Sequence, residues 1–204
     1  MRRYEKVVLF TGAGMSAESG IDTYRGEGGT WDSYNWQEVA CQRAFEANPI
    51  KVLDFHEKRR SEALAATPHA GHKLIKKLED EVDQVSIITQ NIDGMHQRAH
   101  SKNILELHGS LWRLRCDYDN LIIKDSESDK YKIKKCKCGS WLRPDIVWFE
   151  DALDLNIMDR AEVIISDCDL FISIGTSGTV WPAAGYIRLA KKGGAFCIDI
   201  NPED

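Results

Sequence analysis

No apolar run in the 204 residues approaches the roughly 18 that a membrane span needs, so no membrane partner is expected. An excess of positive charge is also missing. Lys and Arg number 27 against 32 Asp and Glu, a formal balance of -5, which argues against non-specific binding to nucleic acid. The chain carries no internal repeat and no low-complexity tract. Met1-Arg2-Arg3-Tyr4-Glu5 leads almost at once into apolar residues that read as a first strand, leaving no room for a signal peptide. Cysteines are few: six, scattered, without the spacing of a disulfide framework. They read as reduced thiols of a cytoplasmic protein. What is present, 43% hydrophobic and 29% charged residues, suits one large soluble domain spanning 1–204 with a sizeable core.

The apolar runs Val7–Phe10, Val85–Thr89, Leu170–Ile174 and Ala195–Ile200 read as buried parallel strands. Helical patterns separate the first three, so the expected class is α/β, a doubly wound parallel sheet. Residues 31–80 read as a largely helical part. Asn48-Pro49 is an N-cap and first helical residue for a helix reaching about Ala65. Trp181-Pro182 would open another, ending at Lys192 before Gly193 and Gly194. Residues 111–144 differ. Leu111–Arg115 alternates like a strand, and Leu121–Ile123 and Tyr131–Ile133 are short strand candidates. This segment, with Cys116, Cys136 and Cys138, reads as a small β-rich insertion.

Gly12, Gly14 and Ala17 follow the first strand with the G-x-G-x-x-G/A spacing of a dinucleotide-binding turn. The first glycine permits a tight turn and the second a close backbone approach to a pyrophosphate. The small Ala17 would let the following helix pack on the strand, its N-terminal N–H groups facing phosphate. Other polar groups cluster where the remaining strands end, the place where open α/β sheets bind ligands. These are Gln90-Asn91-Ile92-Asp93, Gly175-Thr176-Ser177 and Asp199-Ile200-Asn201. His108-Gly109 sits in a turn between two short strands.

In this order and combination these residues resemble the sirtuins, NAD-dependent protein lysine deacylases with a Rossmann-like fold. The resemblance runs from Val7 to Asn201 and includes Gly12-Ala13-Gly14-Met15-Ser16, Tyr24-Arg25-Gly26 and Leu142-Arg143-Pro144-Asp145-Ile146-Val147-Trp148-Phe149. Gly26-Glu27-Gly28-Gly29-Thr30-Trp31 is similar to the bacterial and mitochondrial class that includes desuccinylases. The resemblance implies NAD as cofactor and acyl-lysine proteins or peptides as partners; it leaves the oligomeric state open. Gly12, Ala13, Gly14, Arg25, Gly175 and Thr176 would belong to the cofactor site, and Ser16, Asn91 and Asp93 would line the nicotinamide pocket. Gln90 would meet the nicotinamide ribose, and Ser177 and Asn201 the adenosine half. His108 would be the general base, with Asn91 and Asp93 beside the reaction, and Val147, Trp148 and Phe149 would pair with the substrate peptide. The implied reaction begins with attack of the acyl oxygen on the ribose carbon as nicotinamide leaves. His108 then activates a ribose hydroxyl, and water releases lysine and O-acyl-ADP-ribose.

The chain departs from the family in several places. Asp22 stands where proline is usual, and Glu150 where glycine is common. Sirtuins usually carry two Cys-x-x-Cys pairs in the insertion. Here Cys116 is followed by Asp119, and Cys138 is preceded by Cys136, displaced by one residue. Two readings stay open: a tetrahedral zinc site of Cys116, Asp119, Cys136 and Cys138, or a degenerate zinc-ribbon-like module held by packing. The departures favour the second, with well under one zinc per chain. Desuccinylase-like members carry Tyr and, three residues on, Arg; His56 and Arg59 occupy those positions. They share a helix face and would bind an acyl carboxylate, or else belong to a solvated face of loose ion pairs. Relatives are expected to continue beyond Asn201 with a helix and strand, so part of the adenosine pocket and a sheet edge would be missing or supplied by another subunit. The competing functions are an NAD hydrolase or ADP-ribosyltransferase, and a non-catalytic NAD-binding module.

Overall fold

The computed structural model describes residues 4–125, 127–177 and 185–202. Its main sheet is parallel and has the order β3-β2-β1-β7-β8. β1 (Lys6–Thr11) lies at the centre, between β2 (Gln84–Thr89) and β7 (Leu170–Ile174), while β3 (Ile104–Glu106) and β8 (Phe196–Ile200) form the edges. The central position explains the unbroken apolar run in β1, because both faces must be covered. Val7 and Leu9 pack with Ile75 of α6 (Ala70–Glu81). Val8 and Phe10 pack with Ala161 and Ile165 of α8 (Leu155–Ser166) and with Tyr186 and Ala190 of α9 (Tyr186–Lys192). Each such buried side chain contributes about 1.5–3 kcal/mol relative to exposure. β8 differs: Phe196, Ile198 and Ile200 are exposed along it.

Short helices α1 (Gly14–Ala17), α2 (Thr30–Ser33), α3 (Trp36–Val39) and α4 (Gln42–Ala47) lead to the long α5 (Pro49–Ala65). Asn48 caps α5, its side chain accepting from the Lys51 amide, and Pro49 takes the first turn where no donor is needed. The single-turn α7 (Met95–Arg98) follows β2. Trp181-Pro182, expected to open the last helix, lies outside the described residues; the described part of that helix ends at Lys192 before Gly193.

The second sheet is antiparallel, in the order β5-β4-β6, from β4 (Gly109–Cys116), β5 (Leu121–Lys124) and β6 (Arg143–Ile146). Tyr131–Ile133, expected as a strand, is not one. Tyr131 instead turns into the core, with its amide donating to the buried Glu57 carboxylate and its ring 4.2 Å from the Arg60 guanidinium.

Arg60 fastens this sheet to α5. The guanidinium is fully buried and donates to the carbonyls of Ser128 (2.6 Å) and Leu111 (2.9 Å). It pairs with Asp125 at 2.9 Å and lies between the rings of Trp112 and Tyr131. One turn earlier, Glu57 receives Lys130 and Lys134. Far from a solvated face, α5 therefore buries His56, Glu57, Arg59 and Arg60.

Replacing Arg60 by Met leaves Asp125 buried without its cation, and removal of one partner of such a pair typically costs about 3–5 kcal/mol. Denaturant unfolding of Arg60→Met should show a loss of that size. A loss below about 1 kcal/mol, the range of exposed ion pairs, would contradict this role.

Candidate functional site

β1 and β7 end side by side, and the turns that follow them touch backbone to backbone. Gly14 N donates to the Gly175 carbonyl at 2.9 Å, and Gly12 N to the Ile174 carbonyl at 3.0 Å. A Cβ on Gly14 would lie 2.7 Å from Gly175 Cα, and one on Gly12 would lie 2.7 Å from the Gly175 carbonyl oxygen. Gly175 itself has φ +60, where side chains are strained. The helix expected after this turn is only the four residues of α1, so any phosphate contact falls on the turn's amides rather than on a helix dipole. Ala17 is exposed and does not pack on the strand; Met15 and Ser16 are the buried residues of α1.

The end of β2 delivers the polar residues to the same place. Asp93 accepts from the Ser16 hydroxyl at 2.7 Å and from the Met95 amide at 2.8 Å. The Asn91 side-chain amide donates to the Gly12 carbonyl at 2.8 Å and to Ser16 Oγ at 3.2 Å. Burial raises the pKa of the Asp93 carboxyl, against the pull of its Met95 and Ser16 hydrogen bonds. Ser16, Asn91 and Asp93 line a small cavity of about 20 Å³, with Tyr24, Asp22 and Arg59 also in its lining. That volume admits about one water.

Gln90 donates to the Thr176 hydroxyl at 3.0 Å, and Asn201 to the Thr176 carbonyl at 3.2 Å. These bonds tie the ends of β2, β7 and β8 into one rim. Ser177 and Arg25 are exposed on neighbouring loops, and Ala13 also lines the cavity.

His108 occupies the β3–β4 turn. Its Nδ1 lies 3.1 Å from the Gln90 carbonyl. A carbonyl only accepts, so in the neutral ring Nδ1 carries the proton and Nε2 keeps a lone pair. Burial holds this histidine below its ordinary pKa, partly offset by the Gln90 bond. The His108 carbonyl accepts from the Val147 amide at 3.0 Å, which binds this turn to the 147–149 segment. In that segment Trp148 is buried, its ring 3.6 Å from the Arg143 guanidinium. Phe149 packs against Trp31 and Trp36. Glu150 adopts φ +75, the conformation a glycine would take freely, and pairs with Arg43 at 3.0 Å.

His56 and Arg59 do not act on one cavity. Arg59 reaches the Ser16–Asp93 cavity, donating to Glu62 at 2.7 Å and to the Asp22 carbonyl at 3.3 Å, with Tyr24 against its charge. His56 is buried, and both ring nitrogens are engaged. Nδ1 donates to the Val52 carbonyl at 2.9 Å, and Nε2 accepts from the Trp148 indole at 3.1 Å. Burial pushes its pKa down to about 4, so it stays neutral near neutral pH. The second hydrogen bond expected from His56 to an acyl carboxylate has no free donor.

Sequence reasoning passed over a chain of groups beneath the site. His96 Nε2 lies 3.0 Å from the Thr11 hydroxyl, which donates to the Thr89 hydroxyl at 2.8 Å; Thr89 in turn accepts from the Asn91 amide at 3.0 Å. With Thr11 donating onward, His96 donates to it. The available signal was a threonine ending each of two adjacent apolar runs, in register. The Trp112 indole donates to the Asp93 carbonyl at 2.8 Å and was also missed.

The four insertion side chains meet. Cys116 and Cys138 sulfurs are 3.6 Å apart, Cys136 Sγ lies 3.2 Å from an Asp119 oxygen, and the four ligand atoms all fall within 4.8 Å of one another. With Zn–S near 2.3 Å and Zn–O near 2.0 Å, a tetrahedral centre needs S···S of about 3.8 Å and S···O of about 3.5 Å. The donor set fits zinc.

Residues 12–182 match the model of the Sir2 family. An NAD-dependent protein deacylase of Aquifex aeolicus is 41% identical over 207 residues, covering 97% of this chain and 84% of the relative. A solved variant Sir2 homologue in complex with ADP ribose has a TM-score of 0.93 at 38% identity, covering 99% of this chain and 82% of its own. A crystal structure of a Sir2 homolog–NAD complex gives 0.90 at 40% identity, covering 99% and 80%.

Proposed function

The chain belongs to the Sir2 family, and from that membership we propose how its own residues carry out NAD-dependent removal of acyl groups from protein lysines. The observation that carries the reading is the Ser16–Asn91–Asp93 cluster, interlocked at the cavity under the glycine turn. NAD would supply the ribose carbon that takes the acyl oxygen in place of nicotinamide, and one water, admitted only after nicotinamide has left, would release the lysine, so that the products are nicotinamide, free lysine and O-acyl-ADP-ribose.

Around that chemistry the protein positions and excludes water. The turn of Gly12, Ala13 and Gly14 holds the pyrophosphate by close backbone approach; the Gly12 and Gly14 amides already donate to Ile174 and Gly175, so the amide contact falls to Ala13. Asp93, held by Ser16 and the Met95 amide, accepts from the nicotinamide carboxamide, and Asn91 fixes Ser16 from the other side. Gln90 addresses the nearer ribose; Gly175, Thr176, Ser177 and Asn201 address the adenosine half, and Arg25 closes over the cofactor from its loop. His108 takes a proton from the ribose hydroxyl at Nε2, with Gln90 fixing the tautomer through Nδ1.

The acyl-lysine peptide lies along Val147, Trp148 and Phe149. The three amides of this segment already donate, to His108, Asp151 and Ala40. Pairing with a peptide strand therefore falls to the carbonyls. The buried Trp148 ring holds the segment rather than meeting substrate. Six free cysteines support a reducing, cytoplasmic setting.

Arg59 favours an acidic acyl group such as succinyl. Glu62 already occupies one of its donors, so the gain belongs at the low end of a charge-assisted bond.

Removing the base as His108→Ala should lower O-acyl-ADP-ribose formation by about 10²–10⁴-fold while NAD binding, read by calorimetry, is largely kept. The wild-type rate should fall on acidification with a midpoint below 6.5, since the ring must be neutral to act and burial lowers its pKa. Near-normal deacylation by the variant, or a midpoint above 6.5, would defeat the assignment.

Arg59→Met should reduce the succinyl-to-acetyl ratio of kcat/KM on matched lysine peptides by roughly tenfold. With His56 neutral, the wild-type ratio should stay flat between pH 7 and 5.5 as far as this side chain is concerned. An unchanged ratio in the variant would make Arg59 a structural arginine.

A further inference from the structure

We propose that, on the deacylase reading given above, Arg113 is a positioning residue for His108. Its guanidinium clamps Glu106 of β3 to Asp145 of β6 and so fixes the turn that holds the histidine at the ribose hydroxyl.

The clamp comes from an irregularity in β4. Ser110 pairs with Asp145 and Leu114 with Pro144, so Leu111, Trp112 and Arg113 are extra residues in the register with β6. Bulges re-aim side chains and are common beside active sites. Here the Leu111 amide donates to the Ile92 carbonyl at 3.0 Å, and the Trp112 indole to the Asp93 carbonyl at 2.8 Å. Both bonds hold the antiparallel sheet to the turn after β2. Arg113 serves the other rim. Its Nε donates to an Asp145 oxygen at 2.7 Å and its Nη1 to a Glu106 oxygen. The second Glu106 oxygen accepts from Gln97 of α7 at 2.8 Å.

The His108 turn lies between these two carboxylates along the chain. Glu106 ends β3, an edge strand of three residues, and stands two positions before His108. Asp145 faces Ser110, two positions after it. Gly109 has φ +78, and a Cβ there would collide with the Asp145 carbonyl. Both ends of the turn are therefore tied to one guanidinium, across the seam between the parallel and the antiparallel sheet. The Glu106 and Asp145 side chains are each only 13% exposed, so this is not a loose surface pair. The planar fork offers each carboxylate a donor in fixed geometry, which a lysine ammonium does not.

His108 takes the ribose proton only at hydrogen-bond distance, and a misplacement of about 1 Å can cost about 10²-fold. Nicotinamide departs before that transfer and does not use His108. Loss of the clamp should therefore divide the reaction, sparing the first part and slowing the second.

Two rates on the full chain test this: exchange of labelled nicotinamide into NAD in the presence of an acyl-lysine peptide, and formation of O-acyl-ADP-ribose. Arg113→Met should lower kcat for product by roughly 10–100-fold, with exchange and the KM for NAD close to wild type. Arg113→Lys, which keeps the cation but not the fork, should show a smaller defect of the same kind. Should the methionine variant fail to fold, the lysine variant decides. Asp145→Asn should reproduce the split, and its defect should not multiply with that of Arg113→Met, because both open one clamp. Exchange and product falling together, or neither falling, would overturn the proposal. A wild-type chain without acyl-dependent exchange would overturn the deacylase reading itself, and the positioning role with it.

Discussion

Backbone lying against backbone at the ends of β1 and β7 is the contact on which the site depends. Gly14 and Gly175 approach so closely that a methyl group on either would collide with the other turn. Because they fit, the turn after β1 docks on the turn after β7. Ser16 then drops toward the end of β2, where Asp93 and Asn91 wait. Thr11 and Thr89, paired across β1 and β2, fix the strand ends, and His96 supports them from below. The docked turns thus set where Ser16, Asn91 and Asp93 stand, and Asp22, Tyr24 and Arg59 add the rest of the polar lining. A site that works by positioning needs this arrangement.

The second requirement is that the antiparallel sheet keep its place over that cavity. Apolar packing alone is non-directional. Here α5 supplies direction through buried charge: Arg60 to two carbonyls and Asp125, Glu57 to Lys130, Lys134 and the Tyr131 amide. Arg143 does the same at the other end, binding Gln42, Asp151 and the Ile146 carbonyl under Trp148. The 147–149 segment follows directly from these anchors and reaches His108 through the Val147 amide.

The sequence made the sheet legible because strands buried on both faces read as continuous apolar runs, and β1, β2 and β7 are such strands. The glycine turn and the polar residues at the strand ends could be read for the same reason: they interrupt the runs. The strand assignment at Tyr131–Ile133 failed because alternation cannot distinguish a strand from a loop whose tyrosine is pulled inward by Arg60 and Glu57. Spacing likewise made His56 and Arg59 look like a pair. Only the fold shows that a histidine three residues from Arg59 spends both nitrogens on Val52 and Trp148. Cys136 looked misplaced because spacing rules assume one turn shape, and the Gly139 turn supplies another. His96, whose partner Thr11 is 85 residues away, had no local signal at all.

The central claim is that this cavity and His108 serve acyl transfer from lysine to NAD rather than cleavage of NAD by water. Nicotinamide release measured with an acyl-lysine peptide, with the same peptide unacylated, and with no peptide tests it most directly. The account expects release only with the acylated peptide, matched one for one by O-acyl-ADP-ribose. Release at the same rate without it would identify an NAD hydrolase, and no release under any condition would identify a binding module; either result would contradict the account.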